Sequence, residues 1–177
     1  MRILVRVIGA FVALLAVLAL VGFLLPRQVT VSRSVIIDAP PEAIFPHLND
    51  LKATAAWSPW LERDPDLQVV YEGPEQGVGQ RMSWVSEVQS VGSGSQEITA
   101  STENERVETA LDFGAQGTAL SYVALDPIDG GTEVTWGFDT DMGGNPVGGW
   151  MGLMMDRWIG GDYETGLSRL KALVEGG

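Results

Sequence analysis

The chain has 177 residues, a formal net charge of −12 and no cysteine. The absence of cysteine excludes disulfides, thiolate metal ligands and a cysteine nucleophile. All acidic residues follow position 27, where 23 acidic and 8 basic side chains leave a net charge of −15. Such a negative field repels nucleic-acid phosphates, so no nucleic-acid partner is expected.

Residues 7–25, VIGAFVALLAVLALVGFLL, form an uncharged and almost wholly apolar run. A helix of about 20 such residues crosses the ~30 Å hydrocarbon core of a bilayer. A cleaved signal peptide is the alternative, but its apolar region is usually only about 7–15 residues, followed by a small-x-small cleavage site. The end of this run offers no such site. We therefore predict an N-terminal transmembrane anchor over residues 1–27 and a separate domain over residues 28–177.

The orientation of the anchor follows from the flanking charges. Arg2 and Arg6 precede the run with the terminal amine, while Arg27 and Arg33 follow it. The positive-inside rule slightly favours a cytoplasmic N-terminus. We predict a single-pass membrane protein whose domain lies outside the cytoplasm.

The rest of the chain alternates between strand and turn patterns, with helices near its two ends. Residues 28–38 alternate with β-branched residues, as in a strand. The Asp38-Ala-Pro-Pro sequence favours a helix start, and a short connection with two tryptophans follows. Residues 67–140 contain six short alternating segments separated by turns rich in Gly, Asp and Pro, which predicts antiparallel strands.

The last predicted helix, Trp150 to Val174, has two halves of different character. From Tyr163 onward its apolar residues form one stripe at helical spacing. Before Tyr163 the apolar residues lie on every side, so this half is either buried on most sides or borders a cavity. Methionines there suit surfaces that adapt to varied apolar shapes. A kink is predicted at Gly160-Gly161, between the halves.

A sheet with one apolar face needs a covering layer, and the long helix is the natural cover. The sequence therefore predicts an α+β fold. The stretch VSRSVIIDAPPEAIFPHLNDL followed by WSPW, the strand GVGQRMSW, the segment GGTEVTWGFD and the ending GGNPVGGWMGLMMDRWIGGDYETGLSRLKALVE resemble the SRPBCC superfamily. The similarity is greatest to its polyketide cyclase/dehydrase-like branch within the START/Bet v 1-like helix-grip proteins.

This resemblance implies a β-α-α-β6-α helix-grip architecture, with a curved antiparallel sheet wrapped around the C-terminal helix. It also implies an apolar cavity between sheet and helix that holds hydrophobic small molecules. Some members of the family catalyse cyclisation, dehydration or condensation in that cavity.

The candidate site is apolar, because ligand pockets are concave and lined mainly by hydrophobic and aromatic groups. Aromatic residues that simply fill the core are the alternative. The predicted ligand-binding residues are Trp57, Trp60, Trp84, Trp136, Trp150, Met151, Met154, Met155 and Trp158.

Residues for acid–base or metal chemistry are scarce. The single histidine, His47, lies off the apolar face of its predicted helix, so no metal site is expected. No nucleotide-binding glycine pattern is present, and no cofactor is predicted. Asp156 and Asp162 are expected to pair at the surface. Catalysis by Asp162, Tyr122 or Tyr163 is the alternative hypothesis.

The principal functional hypothesis is membrane-anchored binding of a hydrophobic small molecule or lipid, with residues 7–25 in the membrane. The first alternative is a polyketide cyclase- or dehydratase-like enzyme on the same fold, which needs a buried ionisable group in the cavity. The second is a protein-interaction module, which an exposed apolar patch would favour.

Overall fold

The computed structural model describes residues 2–176. An N-terminal helix precedes a seven-stranded domain that ends in a long helix. The bounds are α1 Arg2–Leu24, β1 Gln28–Ile37, α2 Pro41–Ile44, β2 Gln68–Glu72, β3 Arg81–Val85, β4 Gly94–Thr102, β5 Arg106–Asp112, β6 Thr118–Ile128, β7 Gly131–Asp141 and α3 Pro146–Glu175. Short 3-10 turns lie at Phe45–His47, Ala53–Ala56 and Gly114–Gln116.

The seven strands form one antiparallel sheet in the order β1-β7-β6-β5-β4-β3-β2. The first strand of the domain pairs with the last, so the sheet brings its N-terminal strand beside the strand that leads into α3. This topology, with the long C-terminal helix, confirms the predicted α+β helix-grip fold.

Alternation along the strands separates an inner, apolar face from an outer face. In β7 the side chains of Val134, Trp136 and Phe138 are buried on the inner face. In β6, Val123 is buried on the same face, whereas Leu120 of the same strand lies on the outer face and is 60% exposed. A side-chain period of two therefore sets which face meets the core.

The C-terminal half of α3 packs as predicted, with Tyr163, Leu167 and Leu170 buried. The helix as a whole lies chiefly along β1 and against α1. Arg33 of β1 binds two acids on α3, with 2.8 Å from Nη1 to Oδ1 of Asp156 and 2.8 Å from Nε to a Glu164 oxygen. The prediction that Asp156 pairs at the surface is confirmed.

The helix differs from the prediction at its start. It begins at Pro146, because the side chain of Asn145 caps it by accepting a hydrogen bond of 2.8 Å from the Gly148 nitrogen. It also continues as an α-helix through Gly160 and Gly161. The guanidinium of Arg33 occupies the space that a Cβ at Gly160 would need, so that glycine allows a close approach.

On the outer face, Tyr122 of β6 lies opposite Gly137 of β7. The Tyr122 ring lies where a Cβ would stand if residue 137 had a side chain. The guanidinium of Arg106, from β5, lies 3.9 Å from the centroid of the same ring. A glycine in the middle of a strand weakens it, and here a neighbouring aromatic ring covers the exposed backbone.

We predict that Gly137→Val lowers the free energy of unfolding by about 1–3 kcal/mol, because the ring of Tyr122 must move. Denaturant unfolding of the detergent-solubilised chain, followed by tryptophan fluorescence, measures the change. In a Tyr122→Ala background the same substitution should cost less. Equal costs in both backgrounds would show that the ring is not responsible.

Candidate ligand-binding site

An aromatic cluster joins the sheet, α3 and the connection that follows α2. Trp136 of β7 stacks on Tyr163 of α3, with ring centroids 4.1 Å apart and planes within 6°. Trp57 and Trp60, from the connection, meet Trp136 edge-on at centroid distances of 4.9 and 5.4 Å. Edge-to-face and offset-stacked pairs are the favourable arrangements of aromatic rings. The cluster fills the space between β7 and the C-terminal half of α3.

Each tryptophan of the cluster also has a hydrogen-bond acceptor. Trp136 Nε1 donates to Ser121 Oγ at 3.0 Å, and Trp57 Nε1 donates to the His47 carbonyl at 3.1 Å. Trp60 Nε1 donates to Asp162 Oδ2 at 3.2 Å. The other oxygen of that carboxylate pairs with Arg63, so the surface pairing predicted for Asp162 is confirmed. Satisfied donors of this kind allow large indoles to be buried at low cost.

Tyr163 is a buried ionisable group in this cluster. Burial raises the pKa of its phenol well above the usual value, and a hydrogen bond to Ser121 opposes the rise. The phenol therefore stays protonated at neutral pH and can act as a hydrogen-bond donor but not as a base. With 2% of its surface exposed, it is closed to solvent.

We predict that Tyr163→Phe flattens the alkaline limb of the stability curve. An unfolded tyrosine ionises near its usual pKa of about 10, whereas Tyr163 keeps its proton, so folding stability falls as pH rises above about 10. The loss for this one group is at most about 1.4 kcal/mol per pH unit. Unfolding free energies measured from about pH 9 to about pH 11 should fall more in the wild type than in the variant.

Tyr122→Phe is the control, because it removes a phenol and leaves Tyr163 in place. The comparison separates the loss of the Tyr163 phenol from the loss of a phenol elsewhere in the fold. A Tyr163→Phe slope equal to that of the wild type would mean that the Tyr163 phenol reaches water in the folded state.

Beyond the cluster, the inner face of β3–β5 carries an apolar surface that is only partly covered. Trp84 of β3 and Phe113 after β5 meet edge-on with centroids 6.1 Å apart, and both are partly buried, as is Leu111. The Trp84 ring lies where a Cβ would stand if residue 94 of β4, a glycine, had a side chain. The main contacts of α3 are with β1 and α1 rather than with these strands. This partly covered inner-face surface of Trp84, Leu111 and Phe113 is the candidate ligand-binding surface.

The nine residues predicted to bind ligand occupy three environments rather than one lining. Trp57 and Trp136 are enclosed in the aromatic cluster. Trp60, Trp84 and Met155 are partly buried at the margin of the core. The exposed members, 38–48% accessible, are Trp150, Met151, Met154 and Trp158. Ligand contact by any of the nine remains a prediction.

The exposed group lies on the N-terminal half of α3, which also contacts α1. Trp150 Nε1 donates to the Leu18 carbonyl of α1 at 3.0 Å.

Sequence reasoning also omitted two residues of the candidate surface, Leu111 and Phe113. Their alternation with Val107 in the sequence was the available signal. The pairing of β5 places Val107 and Leu111 on the inner face, and Phe113 contacts Trp84.

Two surface cavities lie elsewhere. One of about 390 Å³ borders the turn after α2 and the end of β4, at Phe45, Asn49 and Ser101. The other, of about 480 Å³, lies mainly on the outer face of the sheet near Arg81 and Leu120. Neither is bordered by a residue of α3, so neither is the cavity predicted between sheet and helix. Within residues 2–176, no group of three or more His, Asp or Glu side chains is arranged to hold a metal ion.

A curved antiparallel sheet wrapped against one long C-terminal helix defines a helix-grip protein of the START/Bet v 1-like class. The chain belongs to the family described as polyketide cyclase / dehydrase and lipid transport, whose sequence profile matches residues 28–175. A comparison with curated proteins gives no significant match.

Solved structures share the fold at low sequence identity. Protein CV1439 of Chromobacterium violaceum is 19% identical, with a TM-score of 0.56 over 82% of this chain and 97% of its own. Protein NE0264 of Nitrosomonas europaea is 11% identical, with a TM-score of 0.58 over 84% and 95%. The protein Ara h 8.0201 is 13% identical, with a TM-score of 0.57 over 85% and 99%.

Proposed function

We propose that the protein is a membrane-anchored binder of a hydrophobic small molecule or lipid. The observation that carries the proposal is the inner-face surface of Trp84, Leu111 and Phe113, which is apolar and only partly covered. A ligand laid on it removes apolar area from water, at about 25 cal/mol per Å². The family description, which includes lipid transport, supports the same class of ligand.

The proposed site contains part of the set predicted from sequence. Trp84 lies within the surface, and Trp60 and Met155 lie at the margin of the same core, where a ligand can reach them. Trp136 and Trp57 are buried members of that core.

A cyclase- or dehydratase-like activity has less support from the same geometry. Tyr163 is closed to solvent and neutral, and Asp162 is held by Trp60 and Arg63. Tyr122 lies on the outer face of the sheet, away from the proposed site. An acid–base catalyst must reach the substrate within hydrogen-bonding distance, and none of these three groups borders the proposed surface.

We predict that a larger side chain in the proposed site reduces labelling of that site by an apolar photoreactive probe. The full chain in lipid nanodiscs is irradiated with a diazirine-bearing fatty acid, and adducts are mapped by mass spectrometry. Adducts on residues 82–85 and 109–113 are expected in the wild type. Leu111→Trp should reduce them several-fold, because the indole occupies the site.

Leu120→Trp is the matched control, since it makes the same change on the outer face of the neighbouring strand. It should leave the adducts unchanged. Adducts confined to residues 2–24 would contradict the proposal, because they would report partition of the probe into the bilayer alone.

The anchor is the second part of the proposal. Helix α1 is long enough and apolar enough to cross a membrane, and its side chains are almost all exposed. Its last turns pack on α3, where Gly22 is buried against Pro146. Removal of α1 as a signal peptide would expose this contact and leave the Trp150 N–H without the Leu18 carbonyl. We therefore propose that residues 1–27 are retained. The flanking arginines slightly favour a cytoplasmic N-terminus, so we also propose that residues 28–177 form a domain outside the cytoplasm.

Fusion of alkaline phosphatase to the C-terminus in a bacterial host is predicted to give active enzyme, because phosphatase activity requires export. A green fluorescent protein fusion at the same point, the control, should be dark after export through the Sec pathway. The mass of the intact membrane protein should include residues 1–27. An inactive phosphatase fusion at normal expression would reverse the orientation, and a mass lacking those residues would indicate a signal peptide.

A further inference from the structure

The N-terminal half of α3 carries a second apolar face that the domain does not use. Val147, Met151, Met154 and Trp158 follow one another at spacings of four, three and four residues, so they lie along one side of the helix. Their side chains are 42–64% exposed. We call these four residues the outer stripe. At 1.5 Å per residue it is about 16 Å long.

The outer stripe begins where α3 meets α1. Gly22 of α1 and Gly149 of α3 approach so closely that a Cβ on Gly149 would overlap the Gly22 carbonyl oxygen. The Pro146 carbonyl similarly occupies the Cβ space of Gly22. The Trp150 indole reaches further along α1, to the carbonyl of Leu18. The first turns of α3 therefore lie beside the last two turns of α1.

If α1 crosses the membrane, this contact determines how deep the first turns of α3 lie in the bilayer. Residues 18–25 are the last part of the apolar run and occupy about 10 Å of its length. The first turns of α3 then lie at the edge of the hydrocarbon layer. Tryptophan is enriched at that level, and apolar side chains gain from contact with acyl chains there.

The charges around the outer stripe agree with a membrane surface. Asp156, the acid nearest to Trp158 in sequence, is paired with Arg33. Arg157 is exposed beside Trp158, and Arg27 follows the end of α1. Guanidinium groups at these positions suit lipid phosphates, so the basic groups near the stripe favour headgroup contact.

We propose that the outer stripe inserts into the bilayer, at the boundary between headgroups and acyl chains, in the leaflet where α1 ends. This inference rests on the membrane anchor proposed above. It gives the protein two membrane contacts, the spanning helix and the surface-lying start of α3. It also places Met155, which follows Met154 at the margin of the core, next to lipid.

The test uses the natural absence of cysteine, which allows single labelling sites in the full chain. Met154→Cys is labelled with an environment-sensitive NBD fluorophore in nanodiscs that hold one protein each. The lipid is phosphatidylcholine, either without bromine or with bromine near the headgroup end or deep in the acyl chains. Bromolipid should reduce the NBD fluorescence of this variant.

Two further variants calibrate the result. Ala13→Cys lies in the middle of α1 and reports the anchor. Thr165→Cys lies on the same side of α3 as Val147, about five turns further on, and should not be quenched. Quenching at Ala13→Cys and Met154→Cys, but not at Thr165→Cys, is the expected result.

Other outcomes separate the inference from the proposal on which it rests. Quenching at Ala13→Cys but not at Met154→Cys would overturn the inserted stripe and leave the anchor intact. No quenching at Ala13→Cys would overturn the anchor and the inference together. Protection of Met154→Cys from a water-soluble quencher only when several proteins share a disc would identify a second copy, rather than lipid, as the occupant.

Discussion

The stack of Trp136 on Tyr163 is the contact on which the arrangement of the domain depends. It ties the last strand to the C-terminal half of α3, and Gly166 lets the helix approach until a Cβ there would meet the Trp136 ring. Trp57 and Trp60 close the same contact from the connection after α2. Four large rings fill this region, and the main contacts of α3 are with β1 and α1 rather than with β3–β5.

Arg33 provides the second attachment of α3 to the sheet. It lies on the inner face of β1 between Val31 and Val35, and its guanidinium reaches Asp156 and Glu164. The hydrogen bonds from Arg33 lower the pKa of Asp156, so the carboxylate stays ionised well into acid solution. Two anions on α3 are thereby matched by one cation of the sheet. The attachment is electrostatic in the middle of the helix and aromatic at its C-terminal half.

The sequence predicted most of the fold because its pattern reports local geometry directly. Period-two alternation located the strands, and the stripe from Tyr163 to Leu170 identified the buried half of α3. The same pattern could not tell what covers an apolar side chain. Trp136 and Trp150 are the same residue type, yet one stacks on Tyr163 while the other donates to a carbonyl of α1. Their environments depend on contacts between elements distant in sequence, and residue type does not encode those contacts.

The connection between α1 and the sheet determines whether the position of α1 also sets the position of the sheet. Only residues 25–27 separate α1 from β1, and the Arg27 carbonyl accepts a hydrogen bond of 2.9 Å from the Met142 nitrogen after β7. Glycines at the α1–α3 contact permit the close helix packing typical of membrane segments. Through the connection and the helix contact, α1 packs directly against the domain. A bilayer that holds α1 therefore also orients the sheet.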